Sequence, residues 1–338
     1  MMNPSEFEKK LLSENLIIPG DKILIACSGG PDSVALLHLL AGLKKKWKLK
    51  IGVVHFNHRL RGRESFRDAQ FVRRLAKNTG LRFFEGAAPV KKLRDSQPLS
   101  IEEAARKLRY DFFCKTARHS SFPKVATAHT LNDQAETVLM RMVQGTGLRG
   151  LCGIRPRTFM EKVVFVRPFL SFSKKEIQDF LKVNRISSRH DSSNDSLRFV
   201  RNKIRREILP MLERELNPRA IEALSRIPAI VRAESETLDI LEAGAWKRAL
   251  KKGPGKDRKV DFHRREILGL PETLQFRIIE KALKALDSAS GMSFSAWQRV
   301  RACLLRGRGR HSLPKDIDFS LTRRHAVVYK KFHPGKAK

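Results

Sequence analysis

The sequence predicts an α/β protein built on a doubly wound, mainly parallel sheet, with a helical second domain and a small basic C-terminal segment. Three observations carry this. Short apolar runs rich in Ile and Val alternate with segments of helical period over roughly the first two-thirds of the chain, the pattern of a parallel sheet covered on both faces. The first run, Ile23-Leu24-Ile25-Ala26-Cys27, passes directly through Ser28-Gly29-Gly30-Pro31-Asp32-Ser33 into an apolar helix from Val34 to Leu40. Past Asn217-Pro218 the strand-like runs give way to apolar residues at helical spacing (Ile221, Leu224, Ile227, Val231).

Composition bounds the partners. The chain has 338 residues, 41% hydrophobic and 31% charged, enough for two or three cores and unlike a disordered polymer. Its 69 Lys and Arg stand against 35 Asp and Glu, a net charge of +34, of which +13 falls in residues 1–150 and the rest beyond. An excess spread along the whole chain points to a polyanion, most simply a nucleic acid. Cysteines 27, 114, 152 and 303 form no Cys-x-x-Cys pair, which argues against a zinc ribbon, an iron–sulfur site or a disulfide framework. No apolar run reaches the ~18–20 residues of a membrane span. The N-terminus mixes acidic and basic residues and reads as a helix over 4–16, so no membrane partner and a cytoplasmic location are expected.

The elements follow in order. In the Ser28–Ser33 turn, side chains at Gly29 and Gly30 would block close approach of the backbone. The turn and the helix after it, with Asp32 or Ser33 as expected N-cap, aim N–H groups and a positive dipole end at one point, which suits a phosphate. No Gly-Lys-Ser/Thr follows, so this is not a Walker A loop. Lys50–Phe56 is a second strand, delivering His55, Asn57 and His58 and then Arg59, Arg61 and Arg63 to its carboxyl end, where ligands of doubly wound sheets lie. A helix over 65–79 and a strand over 81–85 precede a basic, turn-rich stretch, 87–98. Ser100-Ile101-Glu102-Glu103 opens a helix as a capping box. On that helix Arg106, Arg109 and Tyr110 share a face, open either to phosphate or base binding or to surface ion pairs and core packing.

Lys124–His129 is the next strand. The following helix, from about Leu131, carries Asp133 and Glu136 one turn apart, so their carboxylates share a face. There they either complement the helix dipole or hold Mg²⁺ or a substrate ammonium. A strand over 161–170 and a second capping box, Ser173 to Glu176, precede a polar turn, His190–Asp195. A basic helix is expected over 197–206, with Arg198, Arg201 and Arg205 either facing a sugar–phosphate backbone or merely solvated. Lys251–Lys259 and Arg306-Gly307-Arg308-Gly309-Arg310 read as loops, 273–286 as a helix and His325–Phe332 as a strand. The expected divisions are an α/β domain over 1–212, a helical, nucleic-acid-contacting domain over 213–290 and a basic C-terminal segment over 291–338.

The Ser-Gly-Gly-x-Asp-Ser loop after a strand resembles the pyrophosphate-binding loop of the N-type ATP pyrophosphatases, whose fold is adenine nucleotide α hydrolase-like. The later blocks narrow the resemblance. His55-Phe56-Asn57-His58-Arg59-Leu60-Arg61, the group Glu102, Arg106, Arg109 and Tyr110, the run His129 to Thr137, Asp191 to Asn194, and Arg201-Asn202-x-x-Arg205 are together similar to the tRNA(Ile)-lysidine synthetase family. Ordered matches span 20–212. Two features depart from the family: Asn132-Asp133 stands where members carry two aspartates, and 338 residues leave little room for the further C-terminal domain of long members.

The resemblance implies that ATP binds through Ser28, Gly29, Gly30, Pro31, Asp32, Ser33, His55 and Asn57, with Mg²⁺ on Asp32. Asp32, Asp133 and Glu136 would be catalytic, Asp133 and Glu136 would bind free L-lysine, and Arg106, Arg109, Arg198, Arg201 and Arg205 would bind tRNA(Ile) bearing a CAU anticodon. The implied activity joins lysine to C2 of the wobble cytidine through an adenylated intermediate, with ATP cleaved to AMP and pyrophosphate. A tRNA thiolase on the same fold and a non-catalytic RNA-binding protein stay open as alternatives, and the oligomeric state is open, a homodimer included.

Overall fold

The computed structural model describes residues 2–58, 62–88, 90, 93, 100–189, 200–255, 257–287 and 291–331. The chain divides into two compact units, Met1–Val231 and Arg232–Lys338. The first contains α1 (Pro4–Ser13), β1 (Lys22–Ala26), α2 (Pro31–Leu43), β2 (Lys50–Asn57), α3 (Arg63–Asn78), β3 (Arg82–Ala87), α4 (Ile101–His119), β4 (Lys124–Ala126) and α5 (Leu131–Val143). It continues through α6 (Leu148–Leu151), the hairpin β5 (Arg157–Met160) and β6 (Val163–Val166), α7 (Lys174–Val183), α8 (Val200–Lys203), a π-helical turn at Ile204–Ile208, α9 (Leu209–Glu215) and the start of α10 (Ala220–Ala249).

The sheet order is β3-β2-β1-β4-β6-β5, with every pairing parallel except β5 with β6. Successive residues of β1 serve opposite faces. Ile23 and Ile25 join a core with Leu36 and Leu40 of α2, Val72 of α3 and Ile177 of α7. Leu24 joins a second core with Val54, Phe165 and the α4 residues Tyr110, Phe113 and Cys114. Helices therefore cover both faces, as the apolar runs predicted. The strand order reverses between β1 and β4, and the loops after these neighbouring strands leave the sheet at the same end, where such folds place their ligands.

Local signals behave as their chemistry requires. Ser100 and Ser173 both close reciprocal capping boxes, with Glu103 and Glu176. Two expectations change in this unit. The strand expected over 161–170 is the β5–β6 hairpin, turning at Glu161 and Lys162, both at positive φ, and it ends at Val166. The helix expected through 206 widens into the π turn at Ile204–Ile208. Pro210 accounts for this: it has no N–H to offer the carbonyl of Arg206, and its ring crowds that oxygen. The π turn and α9 pack against α5 through Ala135, Ile204 and Leu209.

The second unit holds a five-stranded antiparallel sheet in the order β7-β8-β11-β10-β9. Its strands are β7 (Leu250–Lys252), β8 (Lys259–His263), β9 (Gly309–Leu313), β10 (Ile317–Leu321) and β11 (His325–Lys330). The helices α11 (Arg264–Gly269), α12 (Glu272–Leu286) and α13 (Phe294–Arg306) share one core with it. Residues 291–338 were expected as a separate segment, but Trp297, Val300, Phe319 and Val328 pack with Ile278 and Ile279 of α12, so they complete this unit. The Arg-Gly-Arg-Gly-Arg stretch, expected as a loop, ends α13 at Gly307 and opens β9 at Gly309. The division at Val231 and Arg232 falls within α10, past the boundary expected at 212.

Candidate active site at the reversal of the sheet

The loop after β1 is knitted together by Ser33. Its buried hydroxyl donates to the Gly30 carbonyl at 2.9 Å and accepts from the Ser28 N–H at 3.1 Å. Gly29 adopts φ +94°, a conformation costly for any residue with a Cβ, and Val72 and Phe71 pack within 3.4–3.5 Å of where that carbon would stand. The helix cap is Gly30, with Pro31 in the first turn, and not Asp32 or Ser33 as expected. The reason is that Ser33 spends its oxygen inside the loop. The first-turn N–H groups of α2 then have no intrahelical acceptor and point, with the dipole, beyond the strand end. Arg189 braces the loop from another segment: its N–H donates to the Gly29 carbonyl at 2.9 Å, and its guanidinium pairs with Asp68 at 3.2 Å.

Asp32 follows the cap. Burial, together with Asp133 and Glu136, raises its carboxyl to about 6 against the opposing pull of Lys174 and Arg205. His55 is buried, with Nδ1 2.8 Å from the Cys27 carbonyl, so the ring props the base of the loop. Burial holds it below the usual histidine range. Asn57 donates to the Ser65 carbonyl at 3.2 Å and ties the end of β2 to α3.

Across the reversal point stand Asp133 and Glu136, on the first turns of α5. Asp133 does two jobs at once. Its Oδ2 accepts from the Thr130 N–H at 2.8 Å in a capping box that the sequence reading missed, while its Oδ1 faces Arg201 at 3.2 Å and Arg205 at 3.4 Å. Glu136 is 1% exposed and accepts from Nε of Arg201 at 2.8 Å and Nε of Arg205 at 2.6 Å. Lys174 Nζ lies 3.6 Å from Asp133 and 3.5 Å from Glu136. Burial penalises the Asp133 carboxylate, yet Lys174, Arg201, His129 and the Thr130 N–H together outweigh it and hold the group well below the ordinary range.

Arg201 and Arg205 were expected on a face turned to a sugar–phosphate backbone or to water. Instead both guanidiniums are spent on the carboxylates of α5, because α5 packs against the π turn that carries Arg205. Arg198 and the stretch Asp191–Asn194 lie outside the described residues, as do Arg59, Arg61 and most of 87–98.

Beside this cluster Arg106 and Arg109 stack on the Tyr110 ring, 4.8 and 5.8 Å from its centroid. Neither makes an ion pair among the described residues. Arg167, just past β6, is 4% exposed and donates to the Arg155 carbonyl at 2.7 Å and to Thr158 at 3.1 Å. His129, at the end of the β4 loop, is pushed down to about 3 by burial and by Arg167, Arg106 and Arg109, Asp133 opposing, so it is neutral at pH 7. Asn132 stands at one departure from the family pattern, and its Oδ1 accepts the backbone N–H of Lys174 at 2.9 Å, so this side chain tethers the start of α7.

Sequence reasoning missed Lys174, Arg167 and Arg189 as site residues. Lys174 sat in a recognised capping box, and only the sheet order brings that helix start to Asp133. Among the described residues no group of three His, Cys, Asp or Glu side chains forms a cage for a metal ion. Asp32 alone, completed by phosphate oxygens and water, fits the sparse ligation of Mg²⁺.

Residues 4–212 match the model of the PP-loop domain family. The tRNA(Ile)-lysidine synthase of Chlorobaculum tepidum is 34% identical over 322 residues, covering 90% of this chain and 95% of that protein. The enzymes of the same name from Clostridium perfringens and Geobacter sulfurreducens are each 36% identical, over 82% and 88% of this chain. The chain spans 58% of the length of the first and 63% of the second. Among solved structures, the U34-tRNA thiolase NcsA from Methanococcus maripaludis superimposes with a TM-score of 0.54 at 17% identity, covering 68% of this chain and 78% of that one, a likeness of fold. With the loop of β1, the carboxylates of α5 and these relatives in agreement, the chain belongs to the tRNA(Ile)-lysidine synthase family of PP-loop proteins.

Proposed function

We propose that this protein ligates free L-lysine to C2 of the wobble cytidine in the CAU anticodon of tRNA(Ile), consuming ATP. The observation that carries the reading is the carboxylate pair of half-buried Asp133 and buried Glu136, beside the glycine loop at the reversal of the sheet. In this scheme the cytidine O2 attacks the α-phosphorus of ATP, and pyrophosphate leaves into the Ser28–Ser33 loop, whose N–H groups and helix dipole stabilise its charge. Asp32 is the residue that would hold Mg²⁺ with the phosphates, the metal supplying neutralisation of the triphosphate. The ε-amine of lysine then attacks C2, AMP departs, and the C–N bond of lysidine is formed. That amine has an ordinary pKa of about 10.4, so it must shed a proton, and Asp133 or Glu136 is the nearest acceptor once displaced from its internal cation. Positioning supplies much of the rate, and no covalent enzyme intermediate is required.

Arg106 and Arg109, stacked on Tyr110 and without a carboxylate partner among the described residues, are cations available to meet the tRNA, and a splayed anticodon base enters such a site cheaply. Arg201 and Arg205, and with them Arg198 as an expectation from the sequence, act in this reading at the edge where tRNA and lysine meet.

A tRNA thiolase is the second reading, suggested by the shared fold. Paired cysteines or a cluster would deliver the sulfur, but the four cysteines here are buried, form no disulfide among the described residues and fall on separate elements. Mass analysis of tRNA(Ile) after incubation with ATP, Mg²⁺ and lysine decides the matter. Lysidine is expected, with no dependence on a sulfur donor and with activity kept in Cys152→Ser. A mass gain of sulfur would move the protein to the thiolase reading, and an unmodified tRNA that binds without releasing pyrophosphate would make it a binding protein only.

A further inference from the structure

The carboxylates assigned to the substrate amine are already answered by three of the protein's own cations. Asp133 and Glu136 face Lys174, Arg201 and Arg205, and Asp32 brings the local count to three carboxyls against three cations. A fourth cation, the ammonium of free lysine, therefore has to compete for a partner that is taken. The three internal cations are not equal competitors. Arg201 and Arg205 each place Nε within 2.6–2.8 Å of Glu136 and a second nitrogen near Asp133, a forked grip that is hard to release. Lys174 stands off at 3.5–3.6 Å, a single ammonium on a flexible stem, chemically the same group as the end of the substrate.

Lys174 also reaches toward the other half of the site. Its helix α7 packs through Ile177 into the core that holds Leu36 and Leu40 of α2, the helix that opens from the phosphate loop at Asp32, and its charge opposes the rise of the Asp32 carboxyl. Its backbone is tied by Asn132, so the helix start stays in place while the side chain is free to choose between partners. A polyphosphate arriving at the loop offers Lys174 a stronger partner than two carboxylates already shared with arginines.

We infer that Lys174 is a counter-ion gate, holding the Asp133–Glu136 pair until nucleotide phosphate draws its ammonium away, so that nucleotide and free lysine bind with positive coupling. The inference rests on the lysine-ligating reading above and deepens it: the amine is admitted only after the nucleotide is seated. Lys174 acts here as a positioning residue, through the carboxylates and phosphates, and not on the reacting atoms.

The test is calorimetric titration of L-lysine into the full-length protein, with and without Mg²⁺ and α,β-methylene-ATP. Wild type is expected to bind lysine on the order of tenfold more tightly with the analogue present, within the usual range of coupling between sites. Linkage then requires lysine to tighten the analogue by the same factor, a check that needs no variant. Lys174→Met is expected to bind lysine without nucleotide about as tightly as wild type does with it, bringing the coupling factor to about one. Lys174→Arg keeps a charge at the position and is expected to retain coupling, which separates the gate from a structural role. Equal lysine affinity in wild type with and without the analogue overturns the gate, as does undetectable lysine binding with the analogue or full coupling in Lys174→Met. Transfer of labelled lysine to tRNA(Ile) is scored separately: transfer without coupling removes only the gate, whereas absence of transfer removes the ligase reading itself.

Discussion

Replacing Asp32 by Asn should make the protein more stable at neutral pH while stopping its chemistry. The carboxyl is raised from its ordinary 3.8 to about 6, first by burial and then by Asp133 and Glu136. A shift of about 2 units corresponds to roughly 3 kcal/mol spent in the folded state on keeping this group ionised. The sign follows from linkage: the folded protein prefers the neutral acid, so the penalty is complete above the folded value near 6, shrinks between 6 and 3.8, and is absent below. Asn removes the charge but keeps a polar amide to be solvated, so roughly half the penalty, about 1–2 kcal/mol, should return as stability. For a unit of this size that is a rise of about 3–6 °C in the unfolding midpoint at pH 8, disappearing by pH 3.5. Calorimetric scans of both proteins at the two pH values, without ligands, measure the difference, and pyrophosphate release under standard conditions measures the function. A midpoint for Asp32→Asn equal to or below that of wild type at pH 8, or a gain that persists at pH 3.5, would refute the electrostatic account of the loop. Retained pyrophosphate release would remove Asp32 from the chemistry.

Further expectations follow from the same geometry. In wild type, kcat/KM for ATP should fall about tenfold per pH unit below an apparent pKa near 6, the value of Asp32 in the free protein, as a pH–rate profile will record. Gly29→Ala forces a Cβ into a φ of +94° beside Val72 and Phe71 and should weaken ATP binding at least ~10-fold, since strain of this kind costs about 1–3 kcal/mol. In the second unit, Arg277 and Glu242 form a buried pair at 2.8 Å, with Asp239 a more exposed second partner. Glu242→Ala should cost roughly 3 kcal/mol in urea unfolding, and replacing Glu242 and Arg277 together by Met should recover most of it. Arg106→Ala with Arg109→Ala should flatten the salt dependence of tRNA binding by about two charges' worth of slope, whereas Arg201→Ala with Arg205→Ala should act mainly on lysine affinity, because those charges are answered inside the protein.

What the sequence made legible is what neighbouring residues decide. The glycine loop, the helices opening at Ser100 and Ser173 and the strands beginning at Lys50 and Lys124 are each written within a few residues, by cap chemistry or apolar period. The functional pairing is written elsewhere. Arg201 meets Glu136 across 65 positions, and Lys174 meets Asp133 only because β4 and β6 are neighbours in the sheet. Helical spacing told that Arg201 and Arg205 share a face and was silent about which way it looks. Gly30 at the cap shows a second limit: Ser33 is a good capping residue by type, and its hydroxyl was simply claimed by the loop first. The hairpin of β5 and β6 hid for a third reason, since its turn residues Glu161 and Lys162 take positive φ without a glycine to announce it.

The charge of the whole chain gives the arrangement at the site its logic. A surface of +34 attracts a polyanion from a distance and repels small cations, yet the proposed second substrate is itself cationic. Surface carboxylates would be a poor remedy, because neighbouring Lys and Arg would pair with them and solvent would screen the rest. Glu136, 1% exposed, avoids the screening but not the pairing, and Lys174, Arg201 and Arg205 take it. Only an incoming polyanion can shift that balance without moving the backbone, by offering one of the three cations a better partner. On the proposed reading, a strongly basic protein that binds an amine is thus driven to make the amine's site conditional on phosphate, and the same charge that would gather the tRNA would set the order in which the small substrates are held.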